Sequence, residues 1–196
     1  MSAAVSDDFI GRSRELAQLA NRVDMIRERG KGIAVTVRGR RQVGKSRLVQ
    51  ELCDRSGLPF VYLTAQKGTS SVESIQRFFD ELEQSSLRRL SEGAAPVSTD
   101  NWLSLFRAID DLVSTSPVIV VVDEVPWLAE QDDTFDGALQ LSWDRYLSRK
   151  PILLCLLGSD LHMMERLTSY DRPFYGRSDN MELRPLNPAE TADHRS

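Results

Sequence analysis

Four runs of consecutive apolar residues divide the chain, and apolar residues recur at intervals of three and four between them. Continuous apolar runs are typical of strands that are buried on both faces, whereas the intervals predict amphipathic helices. The predicted strands are Ile33–Val37, Phe60–Leu63, Val118–Val122 and Ile152–Leu157, with a shorter fifth at Met181–Leu183. Strands that alternate with helices predict an α/β fold with a parallel sheet and helices on both faces.

The predicted helices lie between these strands and are bounded by polar or glycine-containing stretches. They are expected around Leu16–Ile26, Leu48–Leu52, Ile75–Leu90, Trp102–Val113, Phe135–Ser148 and Leu161–Leu167. Thr99 or Asp100 is expected to cap the fourth helix, after a flexible connector at 91–99. The aromatic residues of that helix share one face, so we interpret them as core and not as a platform for stacked bases.

Residues 39 to 46 read Gly-Arg-Arg-Gln-Val-Gly-Lys-Ser, the pattern G-x-x-x-x-G-K-S, between a predicted strand and a predicted helix. This context is typical of a phosphate-binding loop. Glycines let the backbone turn its N–H groups toward an anion, and the helix adds the positive end of its dipole. Lys45 can reach the β- and γ-phosphates, and the Ser46 hydroxyl can ligate Mg²⁺. The residues predicted to hold ATP or ADP here are Gly39, Arg40, Arg41, Gln42, Val43, Gly44, Lys45, Ser46 and Arg47.

An acidic pair, Asp123 and Glu124, directly follows the third predicted strand. Ligands of parallel sheets bind outside the carboxyl ends of the strands, where Lys45 is also expected. Mg²⁺ prefers oxygen ligands and keeps several waters, so Asp123 is predicted to hold the metal ion together with Ser46. Glu124 can accept a proton from the attacking water or orient it. The alternative is a solvated turn after a strand.

Two further residues are candidates for the chemistry. Ser159 follows the fourth strand, from where it could contact the γ-phosphate or the attacking water, or cap the helix that starts near Leu161. Both roles can hold at once. Arg177 could neutralise charge in the transition state, in its own chain or in a neighbouring one, or be an ordinary surface arginine.

Composition bounds these interpretations. The 196 residues are 41% hydrophobic, which suits one globular domain, and the net charge is −4. Residues 1 to 50 carry eleven Lys/Arg against five Asp/Glu, and the remainder carries fourteen against twenty-four. A whole-domain nucleic-acid binder would be basic, so the proposed phosphate site is the simpler explanation for the basic first quarter. Cys53 and Cys155 lack metal-ligand spacing, and no apolar run could span a bilayer, so we expect buried thiols and a cytoplasmic location.

Five segments in order resemble the archaeal-type ATPases of the AAA-like, STAND-related branch of P-loop proteins. They are Phe9–Leu16 (F-x-G-R-x-x-E-L), Gly39–Leu48, Asp123–Leu128 (similar to D-E-F-P-Y-L), Leu157–Glu165 (similar to G-S-S-x-x-M-M-E) and Leu167–Leu186 (similar to L-x-S-Y-x-x-P-L-Y-G-R with L-x-P-L). The resemblance implies an ASCE-type P-loop NTPase with strand order 5-1-4-3-2 and Glu124 as the water-activating group. It also implies that Phe9, Ile10, Gly11 and Arg12 lie against the adenine.

The resemblance also sets the expected domain organisation. A single ATPase domain is expected over 1–196, with an N-terminal helical segment at 1–30, a nucleotide-binding core at 31–186 and a tail at 187–196. Family members usually continue into a helical lid or winged-helix region, and because that region is absent here we expect slow turnover. Asp160 stands where the family often has a second serine, which leaves Ser159 as the sensing candidate.

Two functions remain in view. The first is Mg²⁺-dependent ATP hydrolysis. The alternative is a nucleotide-gated switch or scaffold of the STAND type with very slow turnover, acting on a protein partner or through self-association. A small-molecule kinase is a third, for which nothing identifies a hydroxyl pocket. A nucleic-acid role rests only on domains that relatives carry beyond this region.

Overall fold

The computed structural model describes residues 11–90, 100–170 and 174–186. Within these ranges it contains five strands and seven α-helices. The strands are β1 (Ile33–Arg38), β2 (Phe60–Thr64), β3 (Val118–Asp123), β4 (Ile152–Gly158) and β5 (Ser178–Glu182). The helices are α1 (Ser13–Arg29), α2 (Lys45–Ser56), α3 (Ser71–Gln84), α4 (Trp102–Leu112), α5 (Val125–Gln131), α6 (Phe135–Arg145) and α7 (Leu161–Thr168). Short 3₁₀ turns occupy Arg88–Leu90 and Leu147–Arg149.

The five strands form one parallel sheet in the order β2-β3-β4-β1-β5. This is the predicted 5-1-4-3-2 order read from the other edge, so the fold prediction is confirmed. Because β4 inserts between β1 and β3, the carboxyl ends of these three strands lie side by side. Loops that leave these ends can therefore meet, which is where ligands of such sheets bind.

Residues of the central strands alternate between two hydrophobic cores, one on each face of the sheet. On β3, Val120 and Val122 face the core built with α3, α4 and α6, whereas Ile119 and Val121 face the core built with α1 and α2. A strand buried on both faces reads as a continuous apolar run, which explains why the sequence revealed it. Cys53 and Cys155 are free thiols in the second core, and burial raises the pKa of Cys53 to about 12.

Several predicted boundaries were wrong in detail. The third helix ends at Gln84, and Leu90 belongs to a separate 3₁₀ turn. Asn101, not Thr99 or Asp100, caps α4: its side chain accepts a hydrogen bond from the Ser104 N–H. The helix predicted over 135–148 stops at Arg145. Helix α5 was not predicted at all. The connector at 91–99 and the tail at 187–196 lie outside the described residues.

Candidate nucleotide site

The loop between β1 and α2 has the geometry of an anion cradle. Gln42 and Gly44 adopt left-handed backbone conformations, with φ of 62° and 92°. Gly39 is required for a different reason: a Cβ there would lie 2.6 Å from the Leu183 carbonyl oxygen and 2.9 Å from Val43 Cγ1. The side chains of Arg40, Arg41 and Gln42 are exposed. The loop is therefore packed against β5 at its base and open to solvent at its tip, as a phosphate cradle requires.

Lys45 is the first residue of α2 and its side chain is folded back under the loop. Its Nζ donates to the carbonyl oxygens of Gly39, at 2.9 Å, and Arg40, at 3.1 Å. The residue is only 5% exposed. Burial lowers the pKa of Lys45, while the negative charges of Glu124 and then Asp123 raise it in part. The acidic pair thus lies within electrostatic range of the lysine, as the sequence predicted.

Asp123 forms the centre of the site. Its Oδ2 accepts hydrogen bonds from Ser46 Oγ at 2.6 Å and from the Tyr62 hydroxyl at 2.9 Å, and its Oδ1 accepts from the Glu124 N–H at 2.9 Å. The residue is 4% exposed. The two predicted metal ligands are therefore in direct contact across 77 residues of sequence. Burial, followed by the Asp123 charge, raises the pKa of Tyr62 well above its usual value, so its hydroxyl stays a donor.

Glu124 lies between the end of β3 and the start of α5. Its backbone is left-handed, with φ of 58°, which turns the chain out of β3 and into α5. Its Oε2 accepts from Ser159 Oγ at 2.9 Å and from the Ser159 N–H at 3.4 Å. The structure thus brings together the two residues predicted to act on the attacking water. The capping alternative for Ser159 was wrong, because Asp160 caps α7 by accepting from the Met163 N–H.

A close approach of three elements sets the contact between Glu124 and Ser159. Gly158 ends β4, and a Cβ there would lie 2.6 Å from Met164 Cγ and 2.8 Å from Pro126 Cδ. Met164 belongs to α7 and Pro126 to α5, so only glycine lets both helices pack onto the end of β4. The glycine therefore lets Pro126 and Met164 pack against the end of β4, next to Ser159.

The N-terminal segment reaches the site through Arg12. Its Nη2 donates to the carbonyl oxygens of Val43, at 3.1 Å, and Arg184, and its Nη1 pairs with Glu15 at 3.0 Å. Arg12 therefore ties α1, the phosphate loop and the residues after β5 together. Phe9 and Ile10 lie outside the described residues, and the proposed adenine contact of the 9–12 segment stays a prediction.

Arg177 is not brought to the loop of its own chain. It precedes β5, whose first residue pairs with Ala34 at the start of β1, whereas the loop follows Arg38 at the other end. Those positions lie roughly 13 Å apart along the strand. The guanidinium instead makes two 2.8 Å hydrogen bonds to Asp144 on α6. The prediction that Arg177 acts in the site of its own chain is therefore wrong. Its action in a neighbouring chain stays a prediction.

Sequence reasoning missed two contributors. Tyr62 lies inside a strand-like run, where an aromatic residue looks like core. Arg38, at the end of β1, pairs with Glu165 of α7 at 3.0 Å and with Glu182 of β5 at 3.4 Å. The ion pair between Arg38 and Glu165 links α7 to the base of the phosphate loop, which gives the glutamate of the Met-Met-Glu segment a structural role.

The fold and the loop define a P-loop NTPase domain of the AAA-like type. The chain belongs to the AAA ATPase domain family, whose model matches residues 8–148. The fold is similar to that of a Walker-type ATPase of Pyrococcus abyssi, with a TM-score of 0.68 and 18% identity over 94% of this chain and 56% of that chain. It is also similar to a chain in the structure of Drosophila ORC bound to DNA, with a TM-score of 0.63 and 16% identity over 91% of this chain and 44% of that chain.

Both identities are low, so these structures show a shared fold, and the chain spans about half the length of each. No curated protein matches its sequence. Among the described residues, no helix has the length and apolar character needed to cross a membrane.

Proposed function

We propose that this domain binds ATP with Mg²⁺ through the 39–47 loop and hydrolyses its terminal phosphate. The observation that carries the proposal is the 2.6 Å hydrogen bond between Ser46 Oγ and Asp123 Oδ2, beside the buried ammonium group of Lys45. Three groups of the required chemistry, from two separate segments of the sequence, converge at the carboxyl edge of the sheet. Membership of the AAA ATPase domain family supports the same function.

The residues at this edge fit a magnesium ion. A hydroxyl and a carboxylate in contact supply two hard oxygen donors, which suits a cation that takes the rest of its shell from phosphates and water. Ser46 and Asp123 would hold the ion. When bound, it would neutralise charge that develops on the phosphate oxygens. Lys45 would leave the Gly39 and Arg40 carbonyl oxygens and donate to the β- and γ-phosphates, which are better acceptors.

Glu124 and Ser159 carry the proposed chemical step. The carboxylate of Glu124 accepts the proton of the attacking water or orients that water toward the γ-phosphate. Ser159 Oγ donates a hydrogen bond to Glu124 Oε2 at 2.9 Å, so it fixes where the base lies. The products are ADP and inorganic phosphate, and the proton passes from water to Glu124 and then to solvent.

A second candidate is a nucleotide-gated switch of the STAND type with very slow turnover. The contact that favours it is again Ser159 to Glu124, because the carboxylate must give up these two hydrogen bonds before it can act on water. In that case bound ATP or ADP would set the affinity for a protein partner or for another copy of the chain. Retention of nucleotide through many hours without phosphate release favours the switch, and rapid multiple turnover without a partner contradicts it.

Binding is tested by unfolding the protein with and without Mg-ATP, Mg-GTP and Mg-ADP. At about a hundred times the dissociation constant, a ligand adds roughly 2.7 kcal/mol to the free energy of unfolding. We expect adenine nucleotides to give this gain and Lys45→Ala to abolish it. Lys31→Ala, an exposed lysine just before β1, is the matched control and should retain the gain. Equal gains for Lys45→Ala and wild type would contradict the site.

Hydrolysis is tested by phosphate release from wild type, Glu124→Gln and the control Glu130→Gln, which changes an exposed glutamate on α5. Loss of a general base lowers the rate by about 10² to 10⁴. We expect that loss for Glu124→Gln alone. Equal background rates for all three would contradict hydrolysis while leaving nucleotide binding intact.

The remaining expectations stay proposals. A cytoplasmic location, a protein partner or self-association, and a role of Arg177 in a neighbouring chain fall in this group. ORC is described as bound to DNA. For this chain, a link to nucleic acid would rest on segments that lie beyond the region it shares with that structure.

A further inference from the structure

Tyr62 is placed against the carboxylate that would hold the metal ion. Its hydroxyl donates to Asp123 Oδ2 at 2.9 Å, the same oxygen that accepts from Ser46 Oγ at 2.6 Å. An ionised carboxylate only accepts hydrogen bonds, so the direction of both bonds is settled by chemistry. A phenol is therefore part of the acidic site, although neither the loop pattern nor the acidic pair includes it.

The sheet register explains how a residue of β2 reaches this carboxylate. Tyr62 pairs with Val121, and Val121 and Asp123 lie on the same face of β3 because side chains alternate along a strand. The Tyr62 ring packs on the α1 and α2 core, as Val121 does. The ring is thus fixed by packing, and its hydroxyl extends along the sheet to Asp123 at the strand end.

Together the donors leave the Asp123 carboxylate little freedom to rotate. Ser46 on α2 and Tyr62 on β2 bind one oxygen, and the Glu124 N–H binds the other at 2.9 Å. The Ser46 hydroxyl is itself a proposed ligand and must meet a cation with its oxygen. The Tyr62 bond is the side-chain anchor that does not take part in ligation. Mg²⁺ demands nearly ideal octahedral geometry, so an anchor of this kind matters more for it than for larger cations.

The space around this anchor is open. The groove beside Tyr62 has a volume of about 500 Å³ and is also lined by Ser46, Thr64 and Asp123. A separate groove of about 410 Å³ lies between α1 and α2. Mg²⁺ retains several of its waters in such sites. Because Ser46, Tyr62 and Asp123 all line this groove, it offers space for such waters beside the proposed ligands.

We propose that Tyr62 is a positioning residue for Asp123, and that its hydroxyl strengthens the magnesium-dependent part of nucleotide binding. The inference rests on the function proposed above. Two quantities must be distinguished. The first is the affinity for nucleotide without metal ion, which depends on the loop and Lys45. The second is the gain in affinity when Mg²⁺ is added. Tyr62 acts only on the second.

The test is titration of ADP against wild type, Tyr62→Phe and Tyr146→Phe, first with EDTA and then across a Mg²⁺ series. Tyr146→Phe is the matched control, since it removes a hydroxyl that donates to Ser142 Oγ at 2.7 Å on α6. Loss of a group that orients a metal ligand typically costs about 10- to 100-fold in metal affinity. We expect Tyr62→Phe to raise the half-saturating Mg²⁺ concentration by about tenfold and to leave ADP affinity in EDTA unchanged. Tyr146→Phe should match wild type in both.

The outcomes separate this inference from the proposed function. If wild type gains affinity with Mg²⁺, Asp123→Asn loses that gain and Tyr62→Phe keeps it, the Tyr62 inference is wrong and the site stands. If Tyr62→Phe weakens ADP binding equally with and without Mg²⁺, its role is structural and the inference is again wrong. If wild type shows no gain with Mg²⁺, the proposed site and this inference fall together.

Discussion

Two carboxylates that are neighbours in sequence are held in opposite ways at the end of β3. Asp123 continues the strand, is 4% exposed, and accepts hydrogen bonds from Ser46, Tyr62 and the Glu124 N–H. Glu124 has a left-handed backbone, is half-buried, and its side chain is held by Ser159. Three residues donate to Asp123, whereas both hydrogen bonds described for the Glu124 carboxylate come from Ser159. This difference suits a residue that holds a metal ion beside one that must exchange a proton.

The same two regions also depend on different parts of the fold. The surroundings of Asp123 are formed by residues of β2, β3 and α2, on the face of the sheet that α1 and α2 cover. Those of Glu124 depend on the junction of β4, α5 and α7 at Gly158. Substitutions can therefore disturb one region and spare the other.

The largest expected effect separates the two acids in binding. Asp123→Asn removes a proposed metal ligand and should lower the affinity for ADP in Mg²⁺ by about 100-fold, while affinity in EDTA changes little. Glu124→Gln should change either affinity by less than about twofold, because the proposed role of Glu124 is to act on the attacking water and not to hold the metal ion. Calorimetric titration measures both. Equal losses for the two variants would erase the proposed division of roles.

The next effect concerns the junction that holds Glu124 against Ser159. Gly158→Ala introduces a methyl group where Met164 and Pro126 already lie, and overpacking of this kind costs about 1–3 kcal/mol. Gly137→Ala, in α6, meets nothing within 4 Å and should stabilise by about 0.4–1 kcal/mol. Urea unfolding measures the difference. A Gly158→Ala variant as stable as wild type would show that the junction can relax.

A smaller effect is expected from Ser159→Ala, which removes the side-chain donor to Glu124 and leaves the 3.4 Å backbone contact. Phosphate release should fall about tenfold, equivalent to 1.4 kcal/mol, because the base is less well oriented. The affinity for Mg-ADP should not change. Faster release would indicate instead that Ser159 restrains Glu124 and would favour the switch over the ATPase.

The smallest effect is expected at Arg177, remote from both acids. Arg177→Ala removes a half-exposed ion pair with Asp144 and should cost about 0.2–1 kcal/mol at pH 7. The Arg177 hydrogen bonds lower the pKa of Asp144 below its usual value. Stability from a lowered carboxylate pKa is present at neutral pH and is lost as pH falls below about 4, so the difference between variant and wild type should shrink there. A difference that grows in acid would contradict the ion pair.

The parts of the site that are continuous in sequence were predictable, and the parts assembled by packing were not. The 39–46 loop lies between a strand signal and a helix signal, and the acids after Val122 directly follow a strand signal. Tyr62 was missed because an aromatic residue in an apolar strand fits the core equally well, and only the β2–β3 register reveals its contact. Arg38 was missed because its partners, Glu165 and Glu182, are distant in sequence and only the packed fold brings them to the end of β1.

Short and edge elements account for the other errors. Helix α5 has seven residues, starts after a left-handed Glu124 and has proline in its first turn, so it shows no helical period. Strand β5 lies at the edge and only Met181 of its residues is buried, so its polar start at Ser178 could not be read from apolar content. The fold class was still predicted correctly because the four apolar strands, β1 to β4, define it.

The most direct test of the account is a crystal structure of the protein with ADP and Mn²⁺, with the metal located by anomalous scattering. We expect phosphates inside the 39–44 loop and a manganese peak next to Ser46 Oγ on the Asp123 side, with Tyr62 still bound to Asp123. Phosphates bound away from Lys45, or a metal ion remote from Asp123, would contradict it.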